Sequence, residues 1–196
     1  MVSLRPDNRL FVALELPPGL RDELSSLGDP AALGEGRRVP PGNLHVTLAF
    51  LGTVAIEAGP RLRAALETTF PGPPVRVKIG RVVGRPAPGR ARLLAVELDD
   101  VDGELAAIAA RIDHAASAVL GRAAPQRRFW PHVTIARFSR PTRLRRSPSA
   151  GGEHVFAITR VALYDSHITP SRPPRYEAIL DARLDGSHAE RSSSHG

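Results

Sequence analysis

The chain contains no cysteine. Disulfides, thiolate nucleophiles and cysteine-ligated metals are therefore excluded. It holds one lysine, Lys78, among 27 basic residues, and only one tryptophan and two tyrosines. No apolar run reaches the roughly 18 residues that a membrane span requires. Met1 to Arg9 lacks the basic and apolar regions of a secretory signal. A cytoplasmic protein with no membrane partner is the expectation. Acidic side chains are also in deficit, 20 against 27, which gives a net charge of +7 and a pI near 11.1. That balance favours anionic partners, nucleic acid first. The skew from lysine to arginine has a compositional reading too, a GC-rich coding background. Charge alone thus does not separate nucleic-acid binding from solubility.

What is present is enough for a core: 42% of the 196 residues are hydrophobic. The length suits one domain, or two small lobes sharing an interior. Arg9 to Leu16 reads as a buried strand. Pro17 and Pro18 fit the first turn of a short helix to Leu27, stopped by Gly28. Asp29 to Gly42 reads as a loop, and Asn43 to Gly52 as a second strand. Glu57 to Phe70 has helical spacing at Leu62, Leu66 and Phe70. Residues 71–74 (PGPP) break it and mark the lobe boundary within a catalytic unit of residues 1–185. Val75 to Val83 and Ala91 to Leu98 read as strands. Asp102 is placed to cap a helix to Leu120, with Gly121 as its stop and one apolar stripe through Leu105, Ile108, Ile112, Ala116 and Val119. Pro131 to Phe138 is a further strand. Ser139 to Glu153 reads as a basic flexible loop, Val155 to Tyr164 and Arg175 to Leu184 as closing strands, and residues 186–196 as a disordered tail. Strands joined directly as well as through helices imply an α+β fold with mainly antiparallel sheets.

One long-period echo stands out: His45-Val-Thr-Leu-Ala and His132-Val-Thr-Ile-Ala, 87 residues apart. A duplicated lobe gives such spacing. Strand alternation puts His45, Thr47 and Ala49 on one face and Val46, Leu48 and Phe50 on the other. His132, Thr134 and Ala136 repeat the pattern. Two imidazoles that titrate near neutrality can divide the roles of general base and general acid. Two threonine hydroxyls can donate to non-bridging phosphate oxygens. Opening a cyclic phosphate needs such a set and no metal. A third His-x-Thr, His167-Ile-Thr169, runs into Pro170 and reads as a loop. His114, His154, His188 and His195 have no partner at metal-ligand spacing, so neither a metal nor a cofactor is expected.

With RLFVALELPP, VPPGNLHVTLAFLG, WPHVTIARF and YDSHITPSRPPRYEAIL, residues 9 to 184 resemble the 2H phosphoesterase superfamily. Within it they resemble the RNA 2′,3′-cyclic phosphodiesterases once called 2′-5′ RNA ligases. The resemblance implies a bilobal α+β fold, two mainly antiparallel sheets with outer helices flanking a central cleft. It implies that His45 is the general acid, His132 the general base, and Thr47 and Thr134 the phosphate ligands. The implied substrate is RNA with a 2′,3′-cyclic phosphate end, tRNA fragments among the candidates, and the implied product a 2′-phosphate. Arg172-Pro173-Pro174 departs from a glycine often found before proline there. A monomer is the default.

The remaining residues allow two readings each. Strict alternation sets Arg137 opposite His132, while the resemblance gives it a substrate role. Trp130 and Phe129 can stack on a base or pack at the lobe junction. Arg140, Arg143, Arg145 and Arg146, and likewise Arg37 and Arg38, can hold RNA phosphates or be solvated. Other functions fit the same motifs: a small cyclic nucleotide or ADP-ribose cyclic phosphate as substrate, 2′-5′ ligation, or an RNA-binding module without turnover.

Overall fold

The computed structural model describes residues 8–27, 36–123, 128–144, 151–169 and 173–186. The expected helix stop at Gly28, Arg145 and Arg146 of the basic loop, Arg172, and the tail beyond Gly186 lie outside the described residues.

Among the described residues, nine strands form a single sheet: β1 (Leu10–Glu15), β2 (Arg37–Arg38), β3 (His45–Gly52), β4 (Val75–Arg85), β5 (Ala91–Asp100), β6 (His132–Thr142), β7 (Phe156–Ile158), β8 (Arg160–His167) and β9 (Arg175–Arg183). Among the described residues three α-helices accompany them: α1 (Pro18–Ser26), α2 (Gly59–Thr69) and α3 (Glu104–Leu120). Every strand pairing is antiparallel. The order is β7-β4-β5-β6-β3-β1-β8-β9, with β2 added to β6. The two expected sheets are thus the halves of one curled sheet. They meet at one bridge, Val46 opposite Val133. Past that bridge β6 parts from β3 and pairs with β2 instead.

Alternation explains the layering. Val46, Leu48, Val133 and Ile135 are buried and join one core cluster with Leu20 and Leu24 of α1, Leu62 and Leu66 of α2, and Leu105, Ile108, Ile112 and Ala116 of α3. Each buried Val, Leu or Ile among them contributes about 1.5–3 kcal/mol by leaving water. With that face occupied, the other face of β3 and β6 is left to line a cleft.

Several expectations are corrected in detail. The cap of α3 is Asp100, whose carboxylate accepts from the N–H groups of Gly103, Leu105 and Ala106. Asp102 instead pairs with Arg76 at 2.8 Å. Gly121 does end the helix, at φ +61°. The basic loop is ordered at its start: β6 continues to Thr142 opposite Ala91. Leu144 then packs over Gly84, where a Cβ would lie 2.5 Å from its Cδ1. The single strand expected from Val155 to Tyr164 is two, β7 on β4 and β8 on β1. Alternation does not register a change of partner, and here the chain crosses from one half of the sheet to the other. His167 closes β8 opposite Arg175 rather than lying in a loop. The pair Arg37–Arg38, expected within a loop, forms β2.

Candidate active site

The two motif strands are built alike, down to a matched irregularity. Between β1 and β3, Val12 pairs with Ala49 but Ala13 with Thr47, so Leu48 is an extra residue. Between β5 and β6, Leu94 pairs with Ala136 but Ala95 with Thr134, so Ile135 is extra. A β-bulge of this kind resets which side chains share a face. Strict alternation consequently fails two residues past each threonine. Ala49 and Ala136 turn into the buried layer. Phe50, expected in the core, is 71% exposed and lines the cleft. Arg137, which alternation set opposite His132, lines the same cleft as His132 and Thr134. The bulge, unseen in the sequence, brings Arg137 to the side of the histidines.

The cleft is a cavity of about 680 Å³, lined by His45, Thr47, His132, Thr134 and Arg137 among others. That volume suits a nucleotide-sized ligand. Each imidazole is tied to the carbonyl two residues before it: His45 Nδ1 to Asn43 at 2.7 Å and His132 Nδ1 to Trp130 at 2.8 Å. A carbonyl only accepts, so each Nδ1 carries hydrogen and each Nε2 remains to exchange protons. Among the described residues no protein hydrogen bond engages the hydroxyl of Thr47 or Thr134.

The two histidines differ in their surroundings. Phe11 packs on His45 at 5.1 Å, and Tyr176 meets it edge-on at 5.3 Å and 88°. Asn43 ties this side to the segment before Tyr176, its Nδ2 donating to the Pro174 carbonyl at 2.7 Å. His132 stacks on Trp130 at 3.8 Å and 15°. The indole Nε1–H donates to Glu97 at 3.1 Å, and the Arg85 guanidinium lies 4.4 Å from the indole centroid. Glu97 is in turn paired with Arg81 and Arg85. Trp130 is thus already engaged by His132, Glu97 and Arg85 and does not line the cleft. Arg143 follows β6, exposed, and does not line it either.

Burial holds both imidazoles below the usual histidine value, and the positive charge of Arg137 adds to the effect; the backbone hydrogen bonds oppose it. An anion between them would reverse the balance, because a negative charge favours the imidazolium. Among the described residues, no group of three or more His, Asp or Glu is placed to hold a metal ion.

Tyr176, Phe50, Asn43 and Glu97 escaped the reading of the sequence. For Tyr176 the signal was its place in the RPPRYEAIL block. Glu97 is set opposite His132 by the pairing of β5 with β6, Phe50 is turned in by the bulge, and Asn43 acts through its backbone carbonyl two residues before His45, none of which a side-chain spacing rule registers.

The curled antiparallel sheet and its outer helices are the fold of the 2H phosphoesterases. The crystal structure of TT0787 of Thermus thermophilus superposes with a TM-score of 0.78 at 26% identity, covering 92% of this chain and 100% of that one. Escherichia coli LigT complexed with 3′-AMP gives 0.71 at 26% identity, covering 90% and 98%. Residues 17–167 match the model of the 2′-5′ RNA ligase superfamily, and the chain belongs to that family. Curated relatives include the RNA 2′,3′-cyclic phosphodiesterase of Archaeoglobus fulgidus, 30% identical over 67% of this chain and 73% of its own. The protein of the same name from Methanocaldococcus jannaschii is 26% identical over 88% and 99%.

Proposed function

We propose that the protein opens 2′,3′-cyclic phosphates at RNA ends to 2′-phosphates by paired-histidine acid–base catalysis that needs no metal. One observation carries the reading: two matched imidazoles, each fixed through Nδ1, share one cleft with two matched hydroxyls. The names of the relatives agree with it. His132 Nε2 takes a proton from water as the oxygen attacks phosphorus. His45 Nε2–H protonates the 3′ oxygen as its bond to phosphorus breaks. The Thr47 and Thr134 hydroxyls donate to the non-bridging oxygens and hold the phosphorus in line. Arg137 offsets charge that grows on those oxygens in the transition state. The bound phosphate lifts both depressed imidazoles, which lets one of them hold the proton it must deliver.

The test is incubation with a short RNA ending in a 2′,3′-cyclic phosphate, in EDTA, with the product isomer identified. A 2′-phosphate is the expected product. A 3′-phosphate, or turnover that EDTA abolishes, would contradict the scheme.

A further inference from the structure

Arg37 and Arg137 face each other across the pairing of β2 with β6. Directly opposed residues of an antiparallel pair have their side chains on one face, and like charges placed so are destabilising. Arg137 and Val39 both line the cleft. Arg37 shares the face of Arg137 by its pairing with it. Arg38, its neighbour on β2, lines with Val39 a separate groove beside Leu24 and Ser25 of α1. Some arginines of the sheet are neutralised, Arg76 by Asp102, Arg81 and Arg85 by Glu97, and Arg160 by Glu15 and Asp181. Arg92, Arg140, Arg175 and Arg183 have no carboxylate partner among the described residues, but none of them stands opposite another arginine beside the cleft. Among the described residues no carboxylate pairs with Arg37 or Arg137. The sheet thus holds two opposed guanidinium groups at the rim of an anion-binding cleft and leaves them without a counter-ion.

We propose that Arg37 binds the phosphodiester immediately 5′ of the terminal nucleoside, so that the cleft selects an RNA chain over a cyclic mononucleotide. This rests on the reading of the cleft as a cyclic-phosphate site. Arg137, beside Thr134 and His132, serves the reacting phosphate. Arg37, one strand further out, serves the next phosphate of the same chain. β2 exists to carry it: a two-residue strand adds little core, and both its residues are exposed. A phosphate between the two guanidinium groups would turn their repulsion into a charge-assisted clamp.

Three substrates isolate the contact: a nucleoside 2′,3′-cyclic phosphate, the same with a 5′-phosphate, and a dinucleotide with the cyclic end. Wild type should show kcat/KM about 10-fold or more above the first for the dinucleotide, the range of one hydrogen-bonded charge pair. The 5′-phosphorylated monomer separates a terminal monoester from an internal diester; a gain confined to that monomer overturns the proposal. Arg37→Ala should bring the dinucleotide down to the level of the nucleoside cyclic phosphate and leave the latter within about twofold. Its salt dependence on the dinucleotide should become shallower by about 0.7 in log–log slope. Arg37→Lys should keep most of the preference, and Arg38→Ala all of it. Equal losses on all three substrates, or no preference in wild type, would overturn the proposal. Equilibrium binding of the uncleavable 3′-phosphorylated mono- and dinucleotide runs alongside. If no cyclic phosphate is opened, the catalytic reading fails, and the Arg37-dependent difference in binding still decides this one.

Discussion

Two carbonyl oxygens, those of Asn43 and Trp130, decide what each histidine can do. By accepting from Nδ1 they leave Nε2 as the working nitrogen on both rings. Replacing either ring by alanine removes one partner of the proposed acid–base pair. His45→Ala and His132→Ala should each lose roughly 10²- to 10⁴-fold in turnover while unfolding at temperatures close to wild type. The two roles separate on a substrate whose leaving 3′ oxygen is replaced by sulfur. A thiolate departs without protonation, so the defect of His45→Ala should shrink there and that of His132→Ala should persist. The opposite pattern would exchange the roles. Protonation states give a further check. Burial lowers both imidazoles in the free enzyme, so the alkaline limb of kcat/KM should lie at or below the ordinary value of 6.5. Bound phosphate raises them, so the alkaline limb of kcat should lie at higher pH. Coincident limbs would show that the anion does not tune the pair.

At the scale of elements, the matched bulges and the cap of α3 separate what could be read from the sequence and what could not. The His-x-Thr faces were legible because period-two alternation holds from His45 to Thr47 and from His132 to Thr134. It fails at Leu48 and Ile135, since an extra residue in a strand leaves no mark in composition. The face of Phe50 was misjudged for that reason. Likewise the apolar stripe of α3 was plain, while its cap was placed two residues late. Asp100 and Asp102 are equivalent on paper, and only the turn at Gly103, with φ +82°, selects the first. Asp100→Ala should therefore cost about 0.5–2 kcal/mol, or a fall of several degrees in Tm. Asp102→Ala breaks an exposed ion pair with Arg76 and should cost no more than about 1 kcal/mol. Thermal unfolding of the two variants checks the order, and a larger loss for Asp102→Ala would refute the capping assignment.

For the whole molecule, the α+β class followed from strands joined directly as well as through helices, but the path of the chain did not. The segment after β7 carries β8 and β9 back to β1, the opposite half from β7. Pairing between remote strands depends on three-dimensional closure, which local patterns do not encode. This crossing makes the halves interdependent. β8 and β9 supply Val161, Leu163 and Leu180 to the core, and Arg63 of α2 donates to the Ile179 carbonyl of β9. A chain ending at Ile158 should accordingly show no cooperative unfolding transition, by calorimetry or circular dichroism. A sharp transition in that truncated chain would mean that the first half folds without its last strands.

The tethering of both imidazoles has a consequence for the cycle as a whole. With one exchangeable nitrogen on each ring, a turnover by the proposed acid–base route adds a proton to one and strips it from the other. The protein that releases product is a protonic isomer of the protein that bound substrate. The cleft must then pass a proton back through its water before it is ready again. Product that rebinds before this reset meets the isomer suited to closing the ring, so direction in this site is a matter of timing as well as of concentration.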